Sequence, residues 1–142
     1  MSASDECVAR LVCIDPVLVP IIWRNVADLI RRAMARGRMG RFTDVEADVL
    51  RANAYLWLAL SGAGVLAAAV TKVTAEEGER LCTIVACGSE GEDWSRFGAL
   101  IRGLENYARD EGCGAIEICG RPGWSRRLRD YRLVKVVIRK TI

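Results

Sequence analysis

The chain has 142 residues, of which 51% are hydrophobic, and its formal net charge is +3. This length and composition are sufficient for one domain with a sizeable core and argue against a disordered chain. The charge is uneven: residues 121–142 hold six Arg and two Lys against one Asp, a net +7, which leaves −4 on residues 1–120. We therefore expect a single domain with a basic C-terminal end.

The cysteine and histidine content argues against a metal-binding protein, and the apolar stretches argue against a secreted or membrane-spanning one. The six cysteines lie in or beside apolar, strand-like runs without a Cys-x-x-Cys pair, and histidine is absent. We therefore expect buried thiols and no metal site. The opening MSASDECVAR is polar and lacks the apolar core of a secretory signal, which predicts a cytoplasmic protein. The longest apolar stretch, residues 56–70, is interrupted by two glycines and a serine and is too short for a membrane span.

The first part of the chain predicts a strand, two helices and three strands. CVARLVCI (7–14) is a short valine-rich strand, and apolar residues recur at helical spacing until a stop near Gly37. TDVE matches a capping box, in which Thr43 would cap a second helix that runs to about residue 53. The glycine-bearing links between the next three runs favour antiparallel hairpins, with strands at 55–60, 65–73 and 80–88.

The remaining chain predicts helix, strand, helix and strand. An apolar face from Phe97 to Ala108 indicates a helix that ends at Gly112. AIEIC (115–119) is a buried strand, GWSRRLRDY (123–131) a short helix and LVKVVIRKTI (133–142) a last strand. The predicted order is therefore β-α-α-β-β-β-α-β-α-β, an α/β (α+β) domain that covers residues 1–142.

In this order of elements the sequence resembles the GCN5-related N-acetyltransferase (GNAT) fold over nearly its whole length. The phrases GC-x-AIEI-x-GRPGW (112–124) and YRLVKV (131–136) also resemble small GNAT-like proteins of tailed bacteriophages and prophages. The resemblance implies a mainly antiparallel sheet flanked by helices. It leaves two functions open: a degenerate module for binding or assembly, as a minor virion component, or a working acetyl-CoA-dependent N-acetyltransferase. It also implies a bacterial host cytoplasm or a virion as the location, and phage structural proteins as partners.

The loop that opens the predicted third helix is where GNAT enzymes hold the pyrophosphate of acetyl-CoA on free amides. If acetyl-CoA binds, the resemblance implies contacts from Gly88, Ser89, Gly91, Asp93 and Trp94. Only Gly91 matches the family pattern Arg/Gln-x-x-Gly-x-Gly/Ala, because Gly88 stands at the basic position and Asp93 at the second glycine.

Carboxylates in the same loop would repel a bound phosphate group. Glu90, Glu92 and Asp93 complement the positive end of the helix dipole themselves, and no Lys or Arg precedes Arg96 in the loop to offset them. The loop therefore favours a self-capped helix start and no cofactor over a phosphate site.

Two residues are candidates for acid–base catalysis. Glu117 is the one carboxylate in a strongly apolar strand and is the candidate base, with an ion-paired or outward-facing strand residue as the alternative. The resemblance implies a tyrosine acid on the last helix, but Leu128 stands at that position and Tyr131 lies one turn away. Cys87 and Cys119 are interpreted as packing residues, because no histidine is present to activate either as a nucleophile.

The stretch GRPGWSRRLRD is interpreted as a tight turn or as a protein-binding surface. An adjacent arginine and aromatic residue are typical of interface anchors, which makes Arg121, Trp124, Arg126 and Arg127 the interface candidates. A homo-oligomer is a further possibility. Nucleic-acid binding by the basic end is disfavoured, because no aromatic ladder accompanies the arginines.

Overall fold

A computed structural model of the chain describes residues 10–37, 40–62, 64–90, 94–120 and 124–142. The described elements follow the predicted order up to the fourth helix. They are β1 (Arg10–Cys13), α1 (Val19–Gly37), α2 (Phe42–Leu50), β2 (Tyr55–Ser61), β3 (Gly64–Glu76), β4 (Glu79–Ser89), α3 (Trp94–Asp110), β5 (Ala115–Ile118) and α4 (Trp124–Arg127). The α/β class is therefore confirmed.

The five strands form one sheet in the order β1-β2-β3-β4-β5. The first three pairings are antiparallel, as the short links predicted, and only β4 and β5 run parallel. The β3–β4 hairpin closes on Glu77 and Gly78, whose φ angles are +52° and +83°. Both residues of a two-residue turn of this kind need positive φ, and Gly78, as a glycine, adopts it without strain.

Each face of the sheet carries its own hydrophobic core. Side chains that alternate along β2 divide between the faces: Leu56 and Leu58 pack under α1 and α2, whereas Trp57 and Ala59 pack under α3. Residues 67–69 of β3 are all alanine and at most 1% exposed, which lets helices approach the centre of the sheet from both sides. The helices are amphipathic, and Ile30 of α1 and Leu104 of α3 are fully buried.

The capping box predicted at Thr43 is wrong. The helix α2 begins two residues earlier: its N-cap is Arg41 instead of Thr43, its first residue is Phe42, and no side chain caps it. Packing fixes the helix start instead, because the Phe42 ring stacks on Trp23 of α1 at 5.9 Å between centroids. Glu46, the expected partner in the box, accepts a hydrogen bond of 2.8 Å from Trp23 Nε1.

The predicted last strand also differs. Residues 132–142, called the C-terminal segment below, form no strand and pair with no other strand. A strand-like sequence becomes a strand only where a partner completes its hydrogen bonds, and the described part of this single chain leaves the segment without one.

None of the helices in the described residues has the length and apolar character that crossing a bilayer requires. The same residues contain no group of three or more Cys, Asp or Glu side chains arranged to hold a metal ion.

Candidate functional site

The parallel strands β4 and β5 separate partway along the sheet. Their pairing ends at Ile84 and Ile118, and the last backbone hydrogen bond runs from Cys119 N to Ile84 O at 3.0 Å. Beyond this point β4 continues along β3, whereas the chain after β5 leaves the sheet toward α4. The β5 side of residues 85–88 thus has no strand partner among the described residues. We call this opening the β4–β5 gap.

Gly88, predicted to contact a cofactor, faces α1. A Cβ placed on Gly88 would lie 2.9 Å from the Leu29 carbonyl oxygen and 2.9 Å from Ala33 Cβ. The glycine therefore permits close packing between β4 and α1. Ser89 pairs with Ala67, and α3 begins at Trp94. Gly91 and Asp93, two other predicted contacts, lie outside the described residues, as does Glu92.

A cation that the loop sequence lacks reaches the loop from α1. Arg32 Nη2 lies 3.2 Å from Glu90 Oε1, and Arg32 Nε lies 3.1 Å from Asp28 Oδ2. The side chains of Arg32 and Glu90 are both more than half exposed, so this pair contributes little to stability. It does direct the Glu90 carboxylate toward α1. The two residues are 58 positions apart, and no sequence pattern connects them.

Trp124, one of the interface candidates, packs within the chain. Its ring meets Phe97 of α3 edge-on, at 4.6 Å between centroids and 85° between planes. A Cβ placed on Gly120, which follows β5, would lie 3.5 Å from the Trp124 ring. Trp124 thus lies half-buried beside the β4–β5 gap, on the α3 side of the sheet. Arg126 and Arg127 are exposed, and Arg121 lies outside the described residues.

The two candidate catalytic side chains lie on opposite faces of the sheet. Ile116 and Ile118 pack against the core under α3, so Glu117 between them faces the other way, with Oε2 3.6 Å from Lys135 Nζ. Tyr131 packs against the core under α3, where its hydroxyl donates a 2.7 Å hydrogen bond to Glu105 Oε2. The structure therefore does not bring Glu117 and Tyr131 together as one acid–base pair.

Burial keeps the nearby hydroxyl and thiols protonated. Burial, followed by the hydrogen bond to Glu105, raises the pKa of Tyr131 well above its ordinary value. Burial also raises the pKa of Cys87 and, together with the Glu117 carboxylate, that of Cys119. Both thiols are therefore poor nucleophiles at neutral pH, and Tyr131 can donate a proton but not accept one.

A second concavity, which sequence reasoning missed, lies toward the opposite end of the sheet. It encloses about 530 Å³ and is walled by the aromatic rings of Tyr55, Trp57 and Tyr107. Trp57 Nε1 donates to the buried Thr71 hydroxyl at 2.9 Å, and the Trp57 and Tyr107 rings meet at 4.6 Å. Its walls come from β1, β2, β3, β4 and α3, so no local pattern in the sequence indicates it.

Several solved structures that share this fold are acetyltransferases. Ribosomal-protein-alanine N-acetyltransferase from Brucella melitensis biovar Abortus 2308 is 14% identical, with a TM-score of 0.67 over 93% of this chain and 99% of that chain. A GNAT family acetyltransferase from Staphylococcus aureus subsp. aureus USA300_TCH1516 is 10% identical, with a TM-score of 0.66 over 94% and 98%. A predicted acetyltransferase from Clostridium acetobutylicum, solved with acetyl-CoA, is 9% identical, with a TM-score of 0.65 over 94% and 95%.

No protein-family model and no curated protein matches the sequence. At these low identities the structural likeness establishes the GNAT-like fold. It does not assign an activity, because one fold can carry many functions.

Proposed function

We propose that the chain is an acyl-CoA-dependent N-acyltransferase that uses the β4–β5 gap. The observation that carries this proposal is the free edge of residues 85–88 next to the start of α3. Unpaired strand groups bind an extended chain that carries its own amides, and the pantetheine arm of coenzyme A contains two. Helix starts favour phosphate groups. Support also comes from the neighbouring acetyltransferases, which match this chain over nearly their full length.

Bound acyl-CoA would supply an activated thioester, and a residue of the chain and water would handle the protons. Attack by an amine forms a C–N bond, breaks the C–S bond, releases a proton from the amine and requires one at the thiolate. Glu117, one residue before the β4–β5 gap opens, is our candidate to accept the amine proton. Its ion pair with Lys135 is weak, because the lysine side chain is 73% exposed. Tyr131 stays protonated, but it lies on the opposite face of the sheet with its hydroxyl bound to Glu105, so water is our candidate to protonate the leaving thiolate.

Calorimetric titration with acetyl-CoA tests the binding step. We expect a Kd of about 10–100 µM, equivalent to roughly −7 to −5.5 kcal/mol. Separate titrations with pantetheine and with adenosine 3′,5′-bisphosphate measure the binding free energy that the strand edge and the helix start each contribute. Absence of heat with acetyl-CoA at millimolar concentration would contradict the proposal.

Charge variants test whether the phosphates meet the loop. Glu90→Gln removes a carboxylate from the end of β4 and should tighten acetyl-CoA binding several-fold, because like charges repel across a short distance. Glu79→Gln is the matched control, since Glu79 is an exposed β4 carboxylate at the opposite end of the strand. Equal effects of the two variants would mean that the phosphates lie elsewhere.

A binding module without catalysis is the second candidate function. The observation that favours it is the packing of Trp124 on Phe97 beside the β4–β5 gap, where a ring can block an extended ligand. Its proposed role in assembly of a phage or prophage particle rests on the resemblance of residues 112–136. Trp124→Ala discriminates between the two functions. If only the variant binds acetyl-CoA, the Trp124 ring closes the gap in the natural protein and the module is favoured; if both proteins bind it and release thiol with an amine, the enzyme is favoured.

A further inference from the structure

One wall of the second concavity is a strand edge without a partner. β2 begins at Tyr55, opposite Thr71 of β3, whereas β3 continues to Glu76. Among the described residues, therefore, no strand lies beside residues 73–75 on the β2 side, and no backbone–backbone hydrogen bond from a loop reaches them. These residues all line the concavity, which we call the β3 notch. The notch thus offers free backbone N–H and C=O groups to a ligand.

The walls beside this edge are aromatic. The rings of Trp57 and Tyr107 meet at 62° between their planes, and Tyr55 is 44% exposed. Trp57 Nε1 already donates to Thr71, so Trp57 has only its ring to offer. In the part of the chain that the structure describes, the hydroxyls of Tyr55 and Tyr107 have no hydrogen-bond partner. The volume of about 530 Å³ is within the range of ligand sites, so the notch has room for side chains of a ligand.

The electrostatic field in the notch is that of a carboxylate. Its two cations are already paired, Lys72 with Asp48 at 3.1 Å and Arg80 with Glu111 at 3.4 Å. Burial, followed by the Glu111 carboxylate, raises the pKa of Tyr107 to about 12. Glu111 therefore acts on the Tyr107 hydroxyl more strongly than Arg80 does. A cation is favoured beside this hydroxyl, and an anion is disfavoured.

The β3–β4 hairpin that continues from the free edge adds negative charge. Glu76 and Glu79 face each other in the last pair of the two strands, and Glu77 lies in the turn. All three are exposed, and none has an ion pair with another described residue. Like charges opposite each other destabilise a strand pair, so a cation bound beside them is favourable. The faces of Trp and Tyr rings also attract cations. Rings and carboxylates thus select the same chemistry, a cationic side chain.

We propose that the β3 notch binds an extended basic peptide segment of a partner protein, which pairs with residues 73–75 as an added strand. An extended backbone supplies the hydrogen-bond partners that the edge lacks, and its side chains alternate between the two faces of the sheet. A lysine or arginine on the α3 face would pack its stem against the aromatic rings, with its charge near Glu111.

Two other occupants fit the notch less well. An acidic segment would meet Glu111 and the hairpin carboxylates, because Lys72 and Arg80 are already paired. The chain's own C-terminal segment is basic, but its Lys135 lies 3.6 Å from Glu117 of β5, which is two strands away from β3. The basic peptide is therefore ascribed to a separate molecule.

Amide NMR of the full chain, titrated without coenzyme, tests the proposal. The probe is the blocked pentapeptide acetyl-Thr-Lys-Val-Lys-Thr-amide, whose lysines lie on one face of an extended chain. We expect a Kd of about 0.1–1 mM, with shifts that include residues 73–75 and the Trp57 indole. A copy with glutamate at both lysine positions, and a copy methylated at every backbone nitrogen, should each bind about ten-fold more weakly. Binding of either copy as tight as that of the probe, or no shifts at several-millimolar probe, overturns the proposal.

Two variants separate binding in the notch from general attraction of a basic peptide. Glu111→Gln should weaken binding about three- to ten-fold, because it removes the carboxylate and frees Arg80. Glu90→Gln is the matched control, since Glu90 also pairs with an arginine, at 3.2 Å, but lies just beyond the opposite end of β4. The control should bind the probe like the natural protein. Equal weakening by the two variants would mean nonspecific charge attraction and rule the notch out.

A second copy of this chain is the alternative occupant that the same spectra exclude or reveal. If residues 73–75 shift with rising chain concentration in the absence of peptide, a second copy occupies the edge and the proposal is wrong. We expect no such shifts. No coenzyme is present in these measurements, so failure here leaves the proposed activity untouched, and the reverse also holds.

Discussion

Replacing Gly88 with alanine tests the contact between β4 and α1. The added Cβ would lie 2.9 Å from the Leu29 carbonyl oxygen and 2.9 Å from Ala33 Cβ, closer than real Cβ atoms approach their neighbours. One of these neighbours is helix backbone, which a rotamer change cannot move. The helix α1 would therefore have to shift away from β4, and Ile30 and Val26 of the same helix would lose contacts in the core.

The expected size of the effect follows from two opposing contributions. Overpacking of a core costs about 1–3 kcal/mol. Alanine in place of glycine within a strand recovers roughly 0.5–1 kcal/mol of conformational entropy. Because one neighbour is backbone, the overpacking cost should lie in the upper part of its range, about 2–3 kcal/mol. We therefore expect the free energy of unfolding to fall by about 1–2.5 kcal/mol, and the melting temperature to fall by about 3–10 °C for a domain of this size.

Guanidinium denaturation of Gly88→Ala and Gly103→Ala provides the comparison. At Gly103 the added Cβ would come closer still, 2.4 Å from Leu11 Cδ2, but this neighbour is the end of a flexible side chain. Alanine is also favoured over glycine in a helix by about 1 kcal/mol, so Gly103→Ala should be at least as stable as the natural protein. This reasoning would be refuted if Gly88→Ala had the same free energy of unfolding as the natural protein, or if Gly103→Ala lost more of it than Gly88→Ala.

Three further predictions concern the core and α2. Trp57→Phe removes the donor to the fully buried Thr71 and should cost about 2–4 kcal/mol in chemical denaturation, whereas Trp57→Phe with Thr71→Val should cost less than the two single changes together. Thr43→Ala should change stability by less than about 0.5 kcal/mol, because no side chain caps α2; a loss near 1 kcal/mol would restore the capping box. Burial raises the pKa of Cys82 from about 9 to about 11, so the unfolded chain loses this proton first. Stability should be level below pH 9 and fall between pH 9 and 11; an equally steep fall in Cys82→Ala would contradict this cause.

Elements defined by local periodicity were predictable from the sequence. The apolar spacing of α1 and its end near Gly37 were predicted, as was the turn at Gly78 that closes the β3–β4 hairpin. These features depend on residues within a few positions of one another, so the sequence displays the cause directly. The capping box failed for the opposite reason, because stacking of Phe42 on Trp23, which lies 19 positions earlier, fixes the start of α2.

The candidate site was less predictable, because its parts are joined only in three dimensions. Arg32 reaches Glu90 across 58 residues, and Trp124 packs on Phe97 from another helix. The last strand was predicted from the apolar, valine-rich run of residues 133–142. Such a run indicates a segment suited to pairing in a sheet, but it does not specify which strand it pairs with. The placement of Glu117 and Tyr131 on opposite faces required knowledge of the register of β5.

The order of the strands along the sheet matters for how the chain folds. β2, β3 and β4 follow one another through tight turns, so their pairing closes short loops and can form early. The parallel pairing of β4 with β5 must wait for α3 to cross between them, and it joins only four residue pairs. Among the pairings of β2 to β5, the β4–β5 seam should therefore form last and open first, and native-state hydrogen exchange should report the lowest opening free energy there.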